Sequence, residues 1–406
     1  MLFQTLDSKQ ECVGVYRDGV LFFGEGGISQ VEGAKFTWSY ASYLEEFDLE
    51  YAYLYCGDGL DVVCPEHLRA DWQFVNLKLQ AFVRSFIEAK VSLDDNCFFD
   101  LVPESFLRDY CYIKDEICKY IFENYSRPAN YEHLLATNKL IHKLASQRLN
   151  LNWSNMRKQI HRQSIRKQIK NLKNVSPYCK YNLFGTKTGR LTTKKNSFPI
   201  LTLAKEMRPI IEPQKDFFAS FDFNGAEARV LMGILGKKQP PEDIHDFHMN
   251  EVFEGKLTRE QSKTAFFAWL YGARKINQSS EGQKLKLFYD KDTVVQKHWD
   301  GKTVLTPLGK TISGVDQHHA LNYIVQSTTA ELTLLQAIKI NHLLQTQGNG
   351  SFISCLIHDS IVIDLDDNDN HLVGKIKTLM ESTKFGTFGV NISEGKNLGR
   401  LEKIEY

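Results

Sequence analysis

Two apolar segments, far apart in the chain, each carry a single aspartate where a strand should end or turn. Residues 217–223 read FFASFDF and deliver Asp222 near their C-terminal end. Residues 352–365 read FISCLIHDSIVIDL, a strand, a tight turn and a strand, with Asp359 at the turn. Short apolar runs of this kind fit strands with a buried face. A carboxylate beside them is costly unless something compensates for its burial. Two such carboxylates brought together would repel, unless divalent cations lay between them, and that is the arrangement two-metal phosphoryl transfer needs. Taken singly, each aspartate is an ordinary strand-end or turn residue.

A second pattern gives the pair a context. Arg259, Lys263, Phe267 and Tyr271 follow one another at intervals of four, and Gly272 comes next. On an α-helix each step of four drifts by only ~40°, so the four line one slowly turning face. A face that reads cation, cation, aromatic, aromatic suits a nucleoside triphosphate: the cations hold phosphates and the rings pack on sugar and base. The plain alternative is an amphipathic helix that happens to end in Tyr-Gly.

The 406 residues are 42% hydrophobic and 24% charged, as in ordinary globular proteins, and can form more than one subdomain. No stretch approaches the ~20 apolar residues of a membrane span, and the N-terminus lacks the basic start and apolar run of a signal peptide. A cytoplasmic protein is expected. None of the eight cysteines forms a CxxC pair or has zinc spacing with histidine, so reduced thiols are expected. The formal net charge of +1 says nothing of nucleic acid, but residues 151–210 hold fourteen Lys/Arg against one acid, Glu206. Such a stretch is either a footprint for a phosphate backbone or a solvated face.

Along the chain, residues 1–35 alternate around an Arg-Asp-Gly turn as a hairpin would. Helical periodicity covers 67–95, 105–124, 131–174, 226–236, 243–280 and 320–346. Residues 176–213 are irregular and rich in Lys, Thr and Asn. No internal repeat is evident.

These motifs together resemble the polymerase region of the family A, DNA polymerase I-like enzymes, in a compact, phage-type form. RxxxKxxxFxxxYG is the pattern of the family's nucleotide-gripping fingers helix. Asp222-Phe-Asn-Gly-Ala-Glu227-Ala-Arg229 matches the acid, Glu and Arg of its first carboxylate motif, and His358-Asp359-Ser360 resembles its His-Asp-Glu. Thr188-Gly189-Arg190-Leu191, Asp243-Ile244-His245 and the pair Asn322 and Gln326 also match, in the family's order. The resemblance covers about 130–406.

The resemblance implies an α+β, right-hand polymerase fold with an antiparallel-sheet palm, helical fingers and a helical thumb, plus a small α/β N-terminal subdomain. The subdomain would span 1–105, leaving 106–406 as the polymerase domain: 106–175 mainly thumb, 176–240 and 315–406 palm, 241–314 fingers. It implies a DNA-directed DNA polymerase acting with two Mg²⁺ ions, for which Mn²⁺ can substitute. Asp222, Asp359 and the Phe223 carbonyl would hold the metals. Arg259, Lys263 and His245 would hold the triphosphate, with Lys263 also a general acid. Phe267 and Glu227 would bracket the sugar, Glu227 excluding a ribose 2′-hydroxyl. Tyr271 and Gly272 would bound the nascent base pair, and Arg190, Asn322, Gln326 and His358 would line primer and template. The partners implied are primer–template DNA and deoxynucleoside triphosphates, accessory replication proteins being a further class; a monomer in a bacterial or phage-infected cell is expected.

Two positions and one segment length depart from the pattern. Ser360 stands where the family has Glu, His318 stands where it has Arg, and little separates Tyr271 from Asn322, so the fingers look short. The first hundred or so residues are too few for a proofreading exonuclease, so none is expected in this chain; that segment reads as an exonuclease remnant, a buttress or a partner-binding unit. The competing readings are a catalytically impaired primer–template binding protein and a single-subunit RNA polymerase. Glu227 and Phe267 argue against the latter.

Overall fold

The computed structural model describes residues 2–6 and 13–405, which divide into two compact units, 1–146 and 147–406. In the first unit, β1 (Gln4–Thr5), β2 (Gly14–Arg17) and β3 (Val20–Phe23) form an antiparallel sheet. Asp18 and Gly19 both take positive φ (49° and 86°) in the two-residue turn between β2 and β3. This is the geometry for which Asp-Gly is selected, because its twist matches that of the strands. Among the helices that follow, the three long ones are α1 (Arg69–Glu88), α2 (Glu104–Asn124) and α3 (Tyr131–Ala145).

The first unit ends later than the sequence suggests. A boundary at 105 places α2 and α3 with the thumb, but Phe106, Leu107, Ile113, Ile117 and Ile121 of α2 share one core with Trp38, Ala52 and Trp72. On α3, the Tyr131 hydroxyl accepts from the Tyr51 backbone at 3.0 Å. The expected helical run over 131–174 is also broken after Ala145. Cys97 is disulfide-bonded, against the expectation of reduced thiols; sequence spacing does not report which cysteines approach in space. Cys12 lies outside the described residues.

The second unit contains α4 (Gln163–Lys173), β4 (Phe217–Phe223), α5 (Ala226–Ile234), α6 (Arg259–Leu270), α7 (Ser280–Tyr289) and α8 (Lys291–His298). The hairpin β5 (Thr303–Leu305) and β6 (Thr311–Ser313) precedes the long α9 (Gln317–Gln347). β7 (Phe352–Ile357), β8 (Ser360–Leu365), α10 (Val373–Glu381), β9 (Val390–Gly395) and β10 (Glu402–Ile404) complete it. The central sheet has the order β7-β8-β4-β9-β10 and is antiparallel throughout.

Register gives this sheet two unlike faces. Ala219, Phe221, Ile361, Ile363 and Ile392 share one face and are buried. The opposite face carries Asp222 between Ser360 and Asn391, and Ser220 beside Ser393. α9 is buried around much of its circumference, as expected of a helix packed by neighbours on several sides: it meets α5, α8, α10, β5 and β7.

The edge strand β7 is pinned from outside the sheet. Tyr181, buried, donates its hydroxyl to the Leu356 carbonyl (2.8 Å) and accepts from the Leu356 N–H (2.9 Å). Tyr181→Phe leaves both backbone groups unpaired. It is expected to lower stability by about 1–3 kcal/mol, read as a lower urea midpoint at unchanged slope.

Candidate active site

β4 and the β7–β8 turn bring the two aspartates together. Asp222 stands directly opposite Ser360, and Asp359 immediately precedes Ser360. The two-residue turn is held by His358 in the left-handed region (φ 54°), a conformation costly for a residue with a Cβ. Asp222 opens onto a cavity of about 340 Å³. Burial by surrounding atoms and the charge of Asp359 push its carboxyl up to about 6, against the pull of Lys263. Burial also raises Asp359, with Arg190 and His358 opposing.

The same cavity is lined by Arg190, Phe223, Glu227, His245, Arg259, Lys263, Phe267 and Tyr271, so ten of the residues singled out in the sequence meet around one space. His358 lies exposed at the turn and borders a neighbouring pocket with Arg190 and Asp359. Asn322 and Gln326 sit half-buried on α9 and do not line the cavity. Gly272 takes φ 78°, and a Cβ there would lie 2.6 Å from the His318 ring. His318 therefore packs on Gly272, and only glycine fits.

α6 presents two faces. Ser262, Ala265, Phe266, Trp269 and Leu270 are buried, leaving Arg259, Lys263, Phe267 and Tyr271 toward the cavity. The helix begins with a capping box between Thr258 and Gln261, which fixes Arg259 in its first turn. The Phe267 and Tyr271 rings stack at 5.9 Å between centroids.

Arg259 is already paired. Arg259 reaches Asp243 through two bonds, 2.7 Å and 3.1 Å, and Glu260 at 2.6 Å. Asp243 also caps the short helix Ile244–Phe247 and accepts from Asn224 at 2.7 Å. Burial alone would raise its carboxyl, but Arg259, Asn224 and two backbone N–H groups hold it well below the usual carboxylate range. Arg229, buried, donates to the carbonyls of Asn224, Pro240 and Glu242 and so fixes the loop that carries this network. His245 is buried beside it, and burial holds its imidazole down at about 4, so it is neutral at pH 7. Its Nδ1 has no hydrogen-bond partner.

Glu227 accepts from Arg190 and from the Tyr271 hydroxyl at 3.1 Å. Burial raises its carboxyl and Arg190 opposes the rise. The resemblance implies a sugar role for Glu227 and a primer role for Arg190 without showing that they touch. It also missed Asn391, Asp222's neighbour on β9, and Lys310. The Lys310 ammonium lies over Gly189, so close that a Cβ there would be 2.3 Å away. Its hairpin tip is tied to α9 by a 2.9 Å bond from Thr306 to Glu331.

No other acid of the β7–β8 hairpin stands in for a carboxylate at Ser360. The Ser360 hydroxyl is bonded to that of Ser220 at 2.8 Å. Asp364, buried at the other end of β8, accepts from the backbone of Gln214 and Lys215, and Asp366 caps the next helical turn. Among the described residues no three His, Cys, Asp or Glu side chains converge as metal ligands. The pair Asp222, exposed to the cavity, and Asp359, half-buried, still suits a divalent cation, because two carboxylates brought this close repel.

No family model matches the sequence. The chain is 24% identical to the DNA polymerase I of Aquifex aeolicus (strain VF5) over 238 residues, 49% of this chain and 41% of that protein. It is 24% identical to the DNA polymerase of Bacillus phage SP01 over 261 residues, 50% of this chain and 28% of that one. The matches thus span less than half the length of these relatives. Among solved structures, it is similar to the POL domain of Pol1 from M. smegmatis, in complex with DNA primer-template and dNTP. That match has a TM-score of 0.56 and 11% identity, and covers 73% of this chain and 76% of that one.

The chain has an α+β polymerase fold. Within that fold the raised Asp222 carboxyl has a thermodynamic consequence. A carboxyl whose folded-state pKa lies above its unfolded value weakens the fold as pH rises from about 4 to about 6. In the presence of a chelator, Asp222→Asn is therefore expected to melt above the wild type near pH 7.5, the gap closing near pH 4. Equal melting temperatures near pH 7.5 would remove the repulsion from the account.

Proposed function

We propose that this chain is a DNA-directed DNA polymerase of the family A kind, adding deoxynucleotides to a primer 3′ end by two-metal phosphoryl transfer. The observation that carries the reading is the convergence of Asp222 and Asp359 with the Arg259–Lys263–Phe267–Tyr271 face of α6 on one cavity. The sheet would be the palm, the helices of 244–298 the fingers, and the basic segment around α4 part of the thumb, gripping the duplex through phosphates.

Asp222, Asp359 and the Phe223 carbonyl would hold two Mg²⁺, for which Mn²⁺ can substitute. Bound there, the ions supply activation of the primer hydroxyl and charge stabilisation of the transition state. The remaining work belongs to the chain. Lys263 and Arg259 bind the triphosphate, Arg259 exchanging the Asp243 carboxylate for phosphate oxygens. Lys263 is also placed to give a proton to the departing pyrophosphate. His245, neutral, offers a hydrogen bond without a competing charge. Phe267 packs on the sugar, and Glu227, held by Arg190 and Tyr271, closes the space a ribose 2′-hydroxyl would need. Primer–template DNA and deoxynucleoside triphosphates are the proposed partners.

The test is extension of a 5′-labelled primer on a DNA template with Mg²⁺. Deoxynucleotides are expected to extend it and ribonucleotides not. Asp222→Ala and Asp359→Ala are each expected to lower the rate by about three orders of magnitude or more while DNA binding persists. Near-wild-type turnover in either would sink the assignment. Glu227→Ala is expected to relax sugar selection roughly ten- to a hundred-fold. Tight primer–template binding with no extension under any divalent metal would favour the impaired-binder reading, to which the Ser360–Ser220 pair points.

A further inference from the structure

Asp222 has two neighbours in its cross-strand row. On the β8 side stand Ser360 and Asp359, close to Arg190 and His358. On the β9 side stands Asn391. The two sides differ in what surrounds them. The start of β9 is tied to the loop after Asp222 by a 2.8 Å bond from the Asn224 N–H to the Gly389 carbonyl. Asn224 in turn bonds Asp243 at 2.7 Å, the partner of Arg259. The next residue, Gly225, packs against Ile244 and His245. The β9 side of Asp222 is therefore the side of the proposed triphosphate ligands, and the β8 side that of the primer.

The Asn391 carboxamide lines the cavity and makes no hydrogen bond to any of the described residues. Asn391 is part-buried near the start of β9, and an asparagine is poorly suited to a strand, since its short polar side chain competes with backbone pairing. Its chemistry suits the place, however. A lysine or arginine there would compete with Lys263 for Asp222, and an acid would repel phosphate. A carboxamide offers two N–H donors and no net charge.

We propose that Asn391 is a phosphate ligand of the nucleotide site, its Nδ2 donating to the non-bridging oxygens of the β- and γ-phosphates and to the pyrophosphate that leaves. This rests on the polymerase reading and extends it to a residue outside the motifs. It makes Asn391 a determinant of nucleotide and pyrophosphate affinity, with little part in the rate of bond formation.

Single-turnover primer extension across a range of deoxynucleotide concentrations, and its inhibition by inorganic pyrophosphate, test the assignment. Asn391→Ala is expected to raise the apparent Kd for nucleotide and the inhibition constant for pyrophosphate about tenfold, the weight of one hydrogen bond to a charged group. The maximal rate should stay within about threefold. Asn391→Asp, nearly isosteric, should raise both constants further. Melting temperatures should stay at the wild-type value for Ala, because the side chain gives up no internal partner. Should the wild type extend primers while both variants keep wild-type constants, the assignment to Asn391 fails alone. A fall in maximal rate at unchanged nucleotide affinity also overturns it. A wild type that extends nothing overturns the polymerase reading and this proposal together.

Discussion

The repulsion between Asp222 and Asp359 is what the rest of the second unit has to hold in place. Neither carboxylate reaches the other by chain proximity. They meet because β4 and β8 are locked in one antiparallel register, with Phe221 opposite Ile361 and Ala219 opposite Ile363 on the buried face. A slip of one residue would exchange the faces, sending Asp222 into the core and Phe221 into the cavity. The cost of that exchange, several buried apolar side chains against one carboxylate, is what secures the register. Tyr181, bonded to the edge strand β7, and the His358 turn then hold the second aspartate where the first one requires it.

The cations facing the aspartates are restrained by a second network. Buried Arg229 gathers three carbonyls, fixing the loop between β4 and the short helix that Asp243 caps. Asp243 then holds Arg259. The guanidinium is thereby pre-oriented for a planar, bidentate anion, and a phosphate that replaces the carboxylate inherits the geometry. Ordering such a long side chain in advance lowers the entropic cost of binding. Arg190, Glu227 and Tyr271 form a matching restraint elsewhere on the cavity wall.

Local periodicity made much of this legible. The four-residue spacing of Arg259, Lys263, Phe267 and Tyr271, the Asp-Gly hairpin and the strands around Asp222 and Asp359 are short-range patterns, and each describes a real element. What could not be read were the pairings. Arg190 with Glu227 and Arg259 with Asp243 join residues whose contact depends on the tertiary fold, and each cation had been assigned wholly to the ligand. Asn391 sits in a run, VNISEG, that contains no motif; only register places it beside Asp222. The compact first unit runs on to 146 because the apolar face of α2 enters its core, and apolar periodicity does not say which core a helix enters.

Ser360 shows how electrostatics and sequence departures interact. A third carboxylate beside Asp222 would add a like charge within a few ångströms and push both aspartates further toward protonation. The serine instead forms a neutral hydroxyl pair with Ser220, which satisfies its polar group inside the sheet. The metal-free fold is relieved of one repulsion, and the attraction for a divalent cation is correspondingly smaller. With the other acids of this hairpin engaged at its far end by backbone N–H groups and caps, that attraction rests on Asp222 and Asp359. At the proposed metal site, Ser360 therefore trades a smaller repulsion without metal against a weaker attraction for a cation.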